Sequence, residues 1–313
     1  MQEQAFCAMG CTMHAIIDAD SAQARAELAA VPGWFQDWER QLSRFDQQSE
    51  LSRFNQAYDD TIAVSKPFME VLQAALWAAQ ASGGLVTPTL HDQLVAAGYD
   101  RSFELIEREA ACAQRAVGAG HIAADTYGSW RAIKFDPRAR TVSRPAGIRL
   151  DFGGIAKGWA ADRAARQLGR AAPALMDAGG DIALSGPRAD GSPWAIAIEH
   201  PFEPGAEAGL LMLKRGGVAT SGRGYRRWQH GDTWRHHILD ARTGEPADTD
   251  VVNATVVAPS AVEAEVGAKV ALILGSEEGI EWLEARPTMA GLLALADGTI
   301  LISSRMHALL WQG

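Results

Sequence analysis

Two glycine-rich segments carry the residues best suited to holding an anion. Residues 150–158 read LDFGGIAKG, and residues 177–181 read DAGGD. Paired glycines let the backbone approach a ligand closely, and the first turn of a helix offers unpaired N–H groups to negative charge. Lys157 adds a cation to the first turn of the following helix, where the helix dipole disfavours it. Together the segments predict a site for a phosphate-bearing ligand.

Each segment also has a plainer interpretation. LDFGGIAKG is neither G-x-G-x-x-G nor a P-loop, so it can be a strand-to-helix turn with an exposed lysine. DAGGD can be a tight turn in which Asp181 caps backbone N–H groups. Residues 218–222 (VATSG) place Thr220 and Ser221 before a glycine, which suits either hydrogen bonding to a ligand or a plain turn.

A candidate general base lies in residues 235–244, RHHILDARTG. Neighbouring side chains on a strand point to opposite faces, so only one of His236 and His237 can face a given site. A histidine titrates near neutral pH, which suits proton transfer, although a single histidine on a strand is more often structural.

The elements that would position these residues are helices and strands in irregular alternation. Periodicity predicts helices over 21–45, Lys66–Ala81, 157–168 and 262–274, and the motif Val31-Pro-Gly33 could break the first one early. Short strands are predicted throughout, among them 9–18, 148–152 and 234–239. The absence of regular βαβ alternation favours an α+β fold over a doubly wound sheet.

Charge and composition limit the partners. The net charge of −9 argues against a nucleic-acid-binding protein, because phosphate contacts need clustered lysine and arginine. Arg223, Arg226 and Arg227 do lie close together, but Tyr225 and Trp228 interrupt them, which suits a local anion contact.

No stretch approaches the roughly 20 apolar residues of a membrane span, and no leader pattern opens the sequence. We therefore expect a cytoplasmic protein with no membrane span. Cys7, Cys11 and Cys112 offer no even set for disulfides, so reduced thiols are expected.

Seven segments, in this order, resemble the FAD:protein FMN transferase family, also called the ApbE family. They are Met9-Gly10-Cys11-Thr12, LSRFDQQSELSRFN (42–55), SGGLVTPTL (82–90), LDFGGIAKG, DAGGD, ATSG and HILDARTG from His237. The resemblance covers nearly the whole chain. It implies one domain over residues 1–313, with room for two lobes. It also implies an α+β fold with mixed, largely antiparallel sheets, packed helices and a flavin cleft between the lobes.

The resemblance further implies an activity. Such enzymes bind FAD and transfer its FMN part to a Ser or Thr of a partner protein, releasing AMP. Attack by a hydroxyl on a pyrophosphate needs a base, alignment, and neutralisation of the phosphate charge. The family meets the last need with Mg²⁺ held by protein oxygens.

Matching by motif assigns roles to individual residues. His237 is the predicted base, and the Gly154 carbonyl and Glu265 are the predicted metal ligands, with Lys269 at the remaining ligand position. The predicted FAD-binding residues are Met9, Phe45, Leu85, Val86, Thr87, Asp151, Lys157, Gly179, Gly180, Asp181, Thr220, Ser221, His237 and Ile238.

The metal site departs from the family pattern. The family usually carries Asp and Thr where this chain has Glu265 and Lys269, and a protonated lysine cannot ligate a metal. The pair could be an exposed i,i+4 pair worth roughly 0.2–0.5 kcal/mol. Lys269, however, interrupts an apolar stripe of its helix, which predicts burial and a partner. We therefore hypothesise that its ammonium, paired with Glu265, replaces the metal.

Two smaller departures are Thr87, where the family usually has Asp, and Ala241, where it usually has Pro. Together with Lys269 they leave two alternatives to FMN transfer. One is an FAD-binding protein without transferase activity, and the other is an FAD pyrophosphatase that uses water in place of the hydroxyl.

Overall fold

A computed structural model describes residues 1–110, 127–231 and 233–312, so Cys112 lies outside the described residues. The chain divides into two compact units. The first comprises Met1–Phe35, Lys157–Gly222 and Thr249–Gly313, and the second comprises Gln36–Ala156 and Arg223–Asp248. No helix in the described ranges is long and apolar enough to cross a bilayer.

The strands of the described residues, in chain order, are β1 (Gln2–Ala8), β2 (Cys11–Ile17), β3 (Thr61–Ala63), β4 (Lys134–Asp136), β5 (Thr141–Ser143), β6 (Ala174–Ala178), β7 (Asp181–Leu184), β8 (Trp194–Glu199), β9 (Glu207–Leu213), β10 (Gly216–Gly222), β11 (Arg227–His230), β12 (Thr233–His236), β13 (Val251–Ala258), β14 (Ala290–Leu295) and β15 (Ile300–Ile302). The helices are α1 (Ala22–Leu42), α2 (Glu50–Gln56), α3 (Lys66–Ala81), α4 (His91–Ala96), α5 (Phe103–Ala110), α6 (Ala156–Leu168), α7 (Ala261–Leu274) and α8 (Ser276–Glu284). Every pairing between these strands is antiparallel. The expected α+β fold with largely antiparallel sheets is confirmed.

A sheet of eight strands forms the centre of the first unit, in the order β1-β2-β6-β7-β10-β13-β14-β15. The β8–β9 hairpin packs on one face, where Trp194 joins a core that includes Val257. Val256 points to the other face and lies against Gly267 of α7. Because both faces are covered, β13 reads as a nearly continuous apolar run (VVNATVVA).

Three aromatic rings form the centre of the second unit. Phe68 of α3 packs against Phe54 of α2 at 5.0 Å and against Phe152 at 5.2 Å between ring centroids. Helix α3 has the predicted bounds, because Ser65 accepts a hydrogen bond from the N–H of Phe68 and Pro67 fits the first turn. The small sheet β3-β5-β4 belongs to the same unit.

The predicted break of the first helix at Val31-Pro-Gly33 is wrong. Helix α1 runs through Pro32 without interruption. Val31 and Phe35 are fully buried and Trp38 is nearly so, and burial of such side chains contributes about 1.5–3 kcal/mol each. That gain offsets the roughly 3 kcal/mol that an interior proline costs.

The strand predicted over 148–152 is also wrong. The backbone of Leu150 pairs with a side chain instead of a neighbouring strand: its N–H donates to Asn55 Oδ1 (2.7 Å), and its carbonyl accepts from Asn55 Nδ2 (2.8 Å). The N–H of Asp151 donates to the Pro88 carbonyl at 2.8 Å. These bonds satisfy the backbone and hold the glycine-rich segment as an extended loop.

Candidate functional site

Four charged side chains form a buried group in the first unit, called here the charged cluster. Lys157, in the first turn of α6, donates to Asp181 at the start of β7. Lys269 Nζ donates to Glu265 Oε1 at 2.9 Å, both on α7. The two carboxylate side chains are 3% and 1% exposed, and the two lysines 18% and 17%. Gly158 ties the helices together, since its N–H donates to Glu265 Oε2 at 3.0 Å.

Burial and the interactions between charges shift the pKa values of Asp181 and Lys157 in this cluster. Burial, reinforced by the charge of Glu265, raises the pKa of Asp181 to about 6, although both lysines oppose the shift. Burial alone would lower the pKa of Lys157, but the carboxylates of Asp181 and Glu265 outweigh it and hold that pKa above its usual value. Lys157 therefore stays protonated at neutral pH and offers a fixed positive charge.

The DAGGD turn lies beside the charged cluster. Gly179 and Gly180 adopt φ of 68° and 90°, which favours glycine. Asp177 Oδ1, and not Asp181, accepts the N–H of Gly180 (2.7 Å), so the alternative in which Asp181 caps this turn is wrong. A Cβ at Gly179 would collide with Cys11, whereas one at Gly180 would meet no atom within 4 Å. The turn is thus packed on one side and open at Gly180.

Met9 occupies a turn and not the strand in which the sequence placed it. Met9 and Gly10 join β1 to β2 with φ of 50° and 66°. Two consecutive positive φ values define a type I′ hairpin turn, in which Asn or Gly is usual and Met is uncommon. The predicted strand therefore begins at Cys11, and Met9 lies at the hairpin tip.

Thr220 and Ser221 lie within strand β10, so the interpretation of VATSG as a plain turn is wrong. Thr220 Oγ1 forms a hydrogen bond with Thr255 Oγ1 at 2.8 Å. The N–H of Thr220 donates to the Gly180 carbonyl at 3.3 Å, which links β10 to the DAGGD turn. The first unit therefore brings Thr220, Gly180 and the charged cluster into one region.

In the second unit, Asp151 makes three polar contacts. Its Oδ1 accepts the N–H of Gly153 (2.7 Å), its Oδ2 lies 2.8 Å from Arg44 Nε, and its own N–H donates to Pro88. The side chains of Arg44 and Asp151 are each 7% exposed. Gly154 also belongs to this unit.

Arg44 is a residue of this region that the sequence did not single out. Its guanidinium carbon lies 4.2 Å from the centroid of the Phe45 ring and 4.3 Å from that of Tyr99, and Nη1 donates to the Tyr99 carbonyl at 2.5 Å. Arg44 therefore connects Phe45 and Asp151, two predicted FAD-binding residues. Its position immediately before Phe45 was visible in the sequence, but its ion pair with Asp151 was not.

Leu85, Val86 and Thr87 follow the end of α3. Leu85 and Val86 are buried, and the Val86 N–H donates to Ser82 Oγ at 3.0 Å. Thr87 Oγ1 forms a hydrogen bond with Thr89 Oγ1 at 3.0 Å. The Pro88 carbonyl that receives the Asp151 N–H joins this segment to the LDFGG loop.

The two adjacent histidines differ in their surroundings. His236 Nδ1 accepts the N–H of Ile238 (3.3 Å), and Nε2 lies 3.2 Å from the Ala247 carbonyl, to which it can donate. Burial, with smaller effects from Arg223 and Arg227, lowers the pKa of His236. Both ring nitrogens of His236 are thus engaged in the neutral form. His237, the predicted base, follows β12 directly and is half-buried.

The resemblance predicts a metal ion at Gly154 and Glu265, and the residues at Glu265 do not fit one. Both carboxylate oxygens of Glu265 already accept hydrogen bonds, one of them from a lysine ammonium that would repel a cation. Within residues 1–110, 127–231 and 233–312, no three His, Cys, Asp or Glu side chains are grouped so that they could hold a metal. The alternative of an exposed Glu265–Lys269 pair is wrong, because Glu265 is buried and the Lys269 side chain is only 17% exposed.

The fold is an antiparallel α+β fold in which a glycine turn lies beside two lysines of the charged cluster, and comparison identifies its family. The ApbE family matches residues 9–293. A Treponema pallidum protein named FAD:protein FMN transferase is 30% identical over 304 residues, covering 91% of this chain and 81% of its own. A Haemophilus influenzae protein of the same name is 28% identical, covering 95% and 87% of the two chains.

Solved structures agree in fold. The ApbE protein of Thermotoga maritima superposes with a TM-score of 0.83 at 24% identity, covering 99% of each chain. The flavin transferase ApbE of Vibrio cholerae gives a TM-score of 0.77 at 25% identity, again covering 99% of each chain. The chain belongs to the ApbE family.

Proposed function

We propose that this protein transfers the FMN part of FAD to a Ser or Thr of a partner protein and releases AMP. Its relatives carry the name of this activity. The observation that carries the proposal is the charged cluster, in which the largely covered side chains of Lys157 and Lys269 pair with buried carboxylates beside the DAGGD turn. Two fixed cations beside an open glycine turn suit a pyrophosphate.

The reaction assigns a separate task to each group. The acceptor hydroxyl attacks the phosphorus on the FMN side, a new O–P bond forms, and the bond between that phosphorus and the AMP oxygen breaks. His237 takes the hydroxyl proton. Lys157 and Lys269 neutralise the charge that develops on the phosphate oxygens, and the carboxylates of Asp181 and Glu265 raise the pKa of Lys157, so that it stays protonated.

We propose FAD-contacting residues in each of the two units. In the first unit we propose Met9, Gly179, Gly180, Thr220 and Ser221 around the charged cluster. In the second unit we propose Phe45, Asp151, Ile238 and the segment from Leu85 to Thr87, with Gly154 in the LDFGG loop. The two departures from the family pattern, Thr87 and Ala241, lie in the second unit, where Thr87 Oγ1 forms a hydrogen bond with Thr89 Oγ1.

We further propose that the Lys269 ammonium takes the role of the family's Mg²⁺. The support is its ion pair with Glu265, which occupies the expected metal ligand. The wild-type protein should therefore keep its transfer rate in EDTA. Lys269→Thr, which restores the family residue, should make transfer depend on added Mg²⁺. Loss of wild-type activity in EDTA, restored by Mg²⁺, would reject this assignment.

A single incubation tests the proposed function. The protein is mixed with FAD and a peptide carrying a target Thr, with and without Mg²⁺, and AMP and peptide mass are measured. Transfer yields AMP together with a peptide heavier by FMN. AMP with free FMN would instead identify an FAD pyrophosphatase, and bound FAD with neither product would identify a flavin-binding protein.

A further inference from the structure

The hairpin β11–β12 is anchored to the second unit by one of its faces. Trp228 is buried, its Nε1 donates to the Ala97 carbonyl at 2.9 Å, and its ring lies 5.3 Å from that of Tyr99. Arg235, which pairs with Trp228 across the hairpin, lies 2.5 Å from Glu245. The anchored face therefore has its own partners within the unit.

The opposite face presents an aromatic and cationic surface. Arg227 and Trp234 lie diagonally on this face, since Arg227 is opposite His236 and Gln229 is opposite Trp234. The Arg227 guanidinium lies 4.5 Å from the centroid of the Trp234 ring, and Trp234 is 60% exposed. Tyr225, just before the hairpin, is 58% exposed. Trp, Tyr and Arg are the residues most often found to dominate protein interfaces.

The segment that contains the hairpin, residues 223–237, has a charge of opposite sign to that of the whole chain. Residues 223–237 contain four arginines and one aspartate, whereas the whole chain has a net charge of −9. Charges of opposite sign steer partners together and suppress the wrong ones. Arginine also forms paired hydrogen bonds with carboxylates. The local excess therefore suits an acidic partner.

The position of the hairpin directly before His237 indicates which acidic partner it would bind. Strand β12 leads directly into His237, so a segment bound at Trp234 would lie only a few residues along the strand from the proposed base, although His236 and not His237 shares the face of Trp234. We propose that this face, defined by Tyr225, Arg227 and Trp234, docks an acidic segment that flanks the target Ser or Thr of the acceptor protein. This inference rests on the proposed function for the identity of its partner.

The test compares variants of exposed residues that leave the FAD-binding residues unchanged. Arg227→Glu and Trp234→Ala are matched by Arg215→Glu and Trp311→Ala, which change exposed residues of the first unit. Two Thr peptides serve as acceptors, one flanked by Asp and Glu and the other by Asn and Gln. The readouts are KM for the peptide, kcat, and the dissociation constant for FAD.

We expect both hairpin variants to raise KM for the acidic peptide by roughly tenfold, with FAD affinity unchanged and the matched controls like wild type. Arg227→Glu should also reduce the preference for the acidic over the amide peptide. Equal KM in all proteins would overturn the proposal. So would a parallel loss of FAD affinity, which would place the hairpin in the flavin site.

Direct binding separates this inference from the proposed transfer. Anisotropy of a fluorescent acidic peptide is measured with FAD present, so that docking is observed even if no FMN is transferred. Peptide binding that Arg227→Glu abolishes supports docking, whatever the outcome for transfer. No binding by the wild-type protein would overturn docking. Tighter binding of a single-stranded oligonucleotide than of the peptide would assign the surface to nucleic acid and also overturn it.

Discussion

His236 and His237 are adjacent, and backbone groups contact both ring nitrogens of His236. We predict that His237→Ala abolishes FMN transfer, because the acceptor hydroxyl then lacks its base. His236→Ala should retain transfer but lower stability, because it removes two hydrogen bonds that contribute about 1 kcal/mol each. AMP release and thermal melting of both variants check this. Normal turnover by His237→Ala would remove it from the mechanism.

His236 also makes the stability of the protein depend on pH. Burial, followed by Arg223 and Arg227, lowers the pKa of folded His236 below 6.5. Below pH 6.5 the unfolded chain therefore binds a proton that the folded protein does not, and stability falls as the pH falls. His236→Gln, which cannot titrate, should lose less stability over that range than wild type. Urea midpoints at a series of pH values measure the difference, and identical slopes would contradict the assignment.

Glu265 and Lys269 should depend on each other for stability. Lys269→Met leaves a buried carboxylate without its cation, which typically costs about 3–5 kcal/mol. Adding Glu265→Gln removes that charge, so the double variant should recover most of the loss. Urea denaturation of the wild-type protein, the two single variants and the double variant measures the coupling. Additive losses would show that the two side chains act independently.

At the scale of elements, α6 fixes the start of α7. Asp162 of α6 accepts hydrogen bonds from the N–H groups of Ala261 (2.9 Å) and Val262 (3.1 Å), and Ser260 accepts that of Glu263 at 3.2 Å. The first N–H groups of a helix have no partner within the helix. This contact between helices therefore sets the position of Glu265 and Lys269, about one and two turns further along.

We predict that Asp162→Ala lowers stability by about 1–2 kcal/mol, the usual range for a lost helix cap. Asp162→Asn should cost less, because it keeps one acceptor and burial already raises the pKa of the Asp162 carboxyl. Asp37→Ala, an exposed pair with Arg40, should change stability by less than about 0.5 kcal/mol. Chemical denaturation of the three variants checks the order. A larger loss for Asn than for Ala would contradict it.

Local signals explain which elements the sequence could predict. Helix α3 has its predicted bounds because Ser65 and Pro67 act on neighbouring residues. The loop at Leu150 was predicted as a strand because its partner, Asn55, is 95 residues away in the chain. The Arg44–Asp151 pair escaped prediction for the same reason. Sequence motifs predict residues of the candidate site, but the hydrogen bonds of those residues depend on partners that are distant in the chain.

At the scale of the whole molecule, the charge of the chain and that of its hairpin oppose each other. A net charge of −9 should repel an acidic acceptor, while Arg223, Arg226 and Arg227 should attract it; Arg235 is already paired with Glu245. Salt screens charges beyond a Debye length of about 10 Å at 0.1 M. The sign of the salt dependence therefore reports which of the two fields controls association.

We predict that added salt lowers kcat/KM for the acidic peptide, because the arginines near the bound segment dominate its encounter with the protein. If the net charge of the chain were in control, screening the repulsion would raise kcat/KM instead. The amide peptide serves as the control and should show little dependence on salt. Arg227→Glu should flatten or reverse the slope for the acidic peptide. Steady-state AMP release over a salt series measures these slopes, and a rising slope for the wild-type protein would contradict local control by the hairpin.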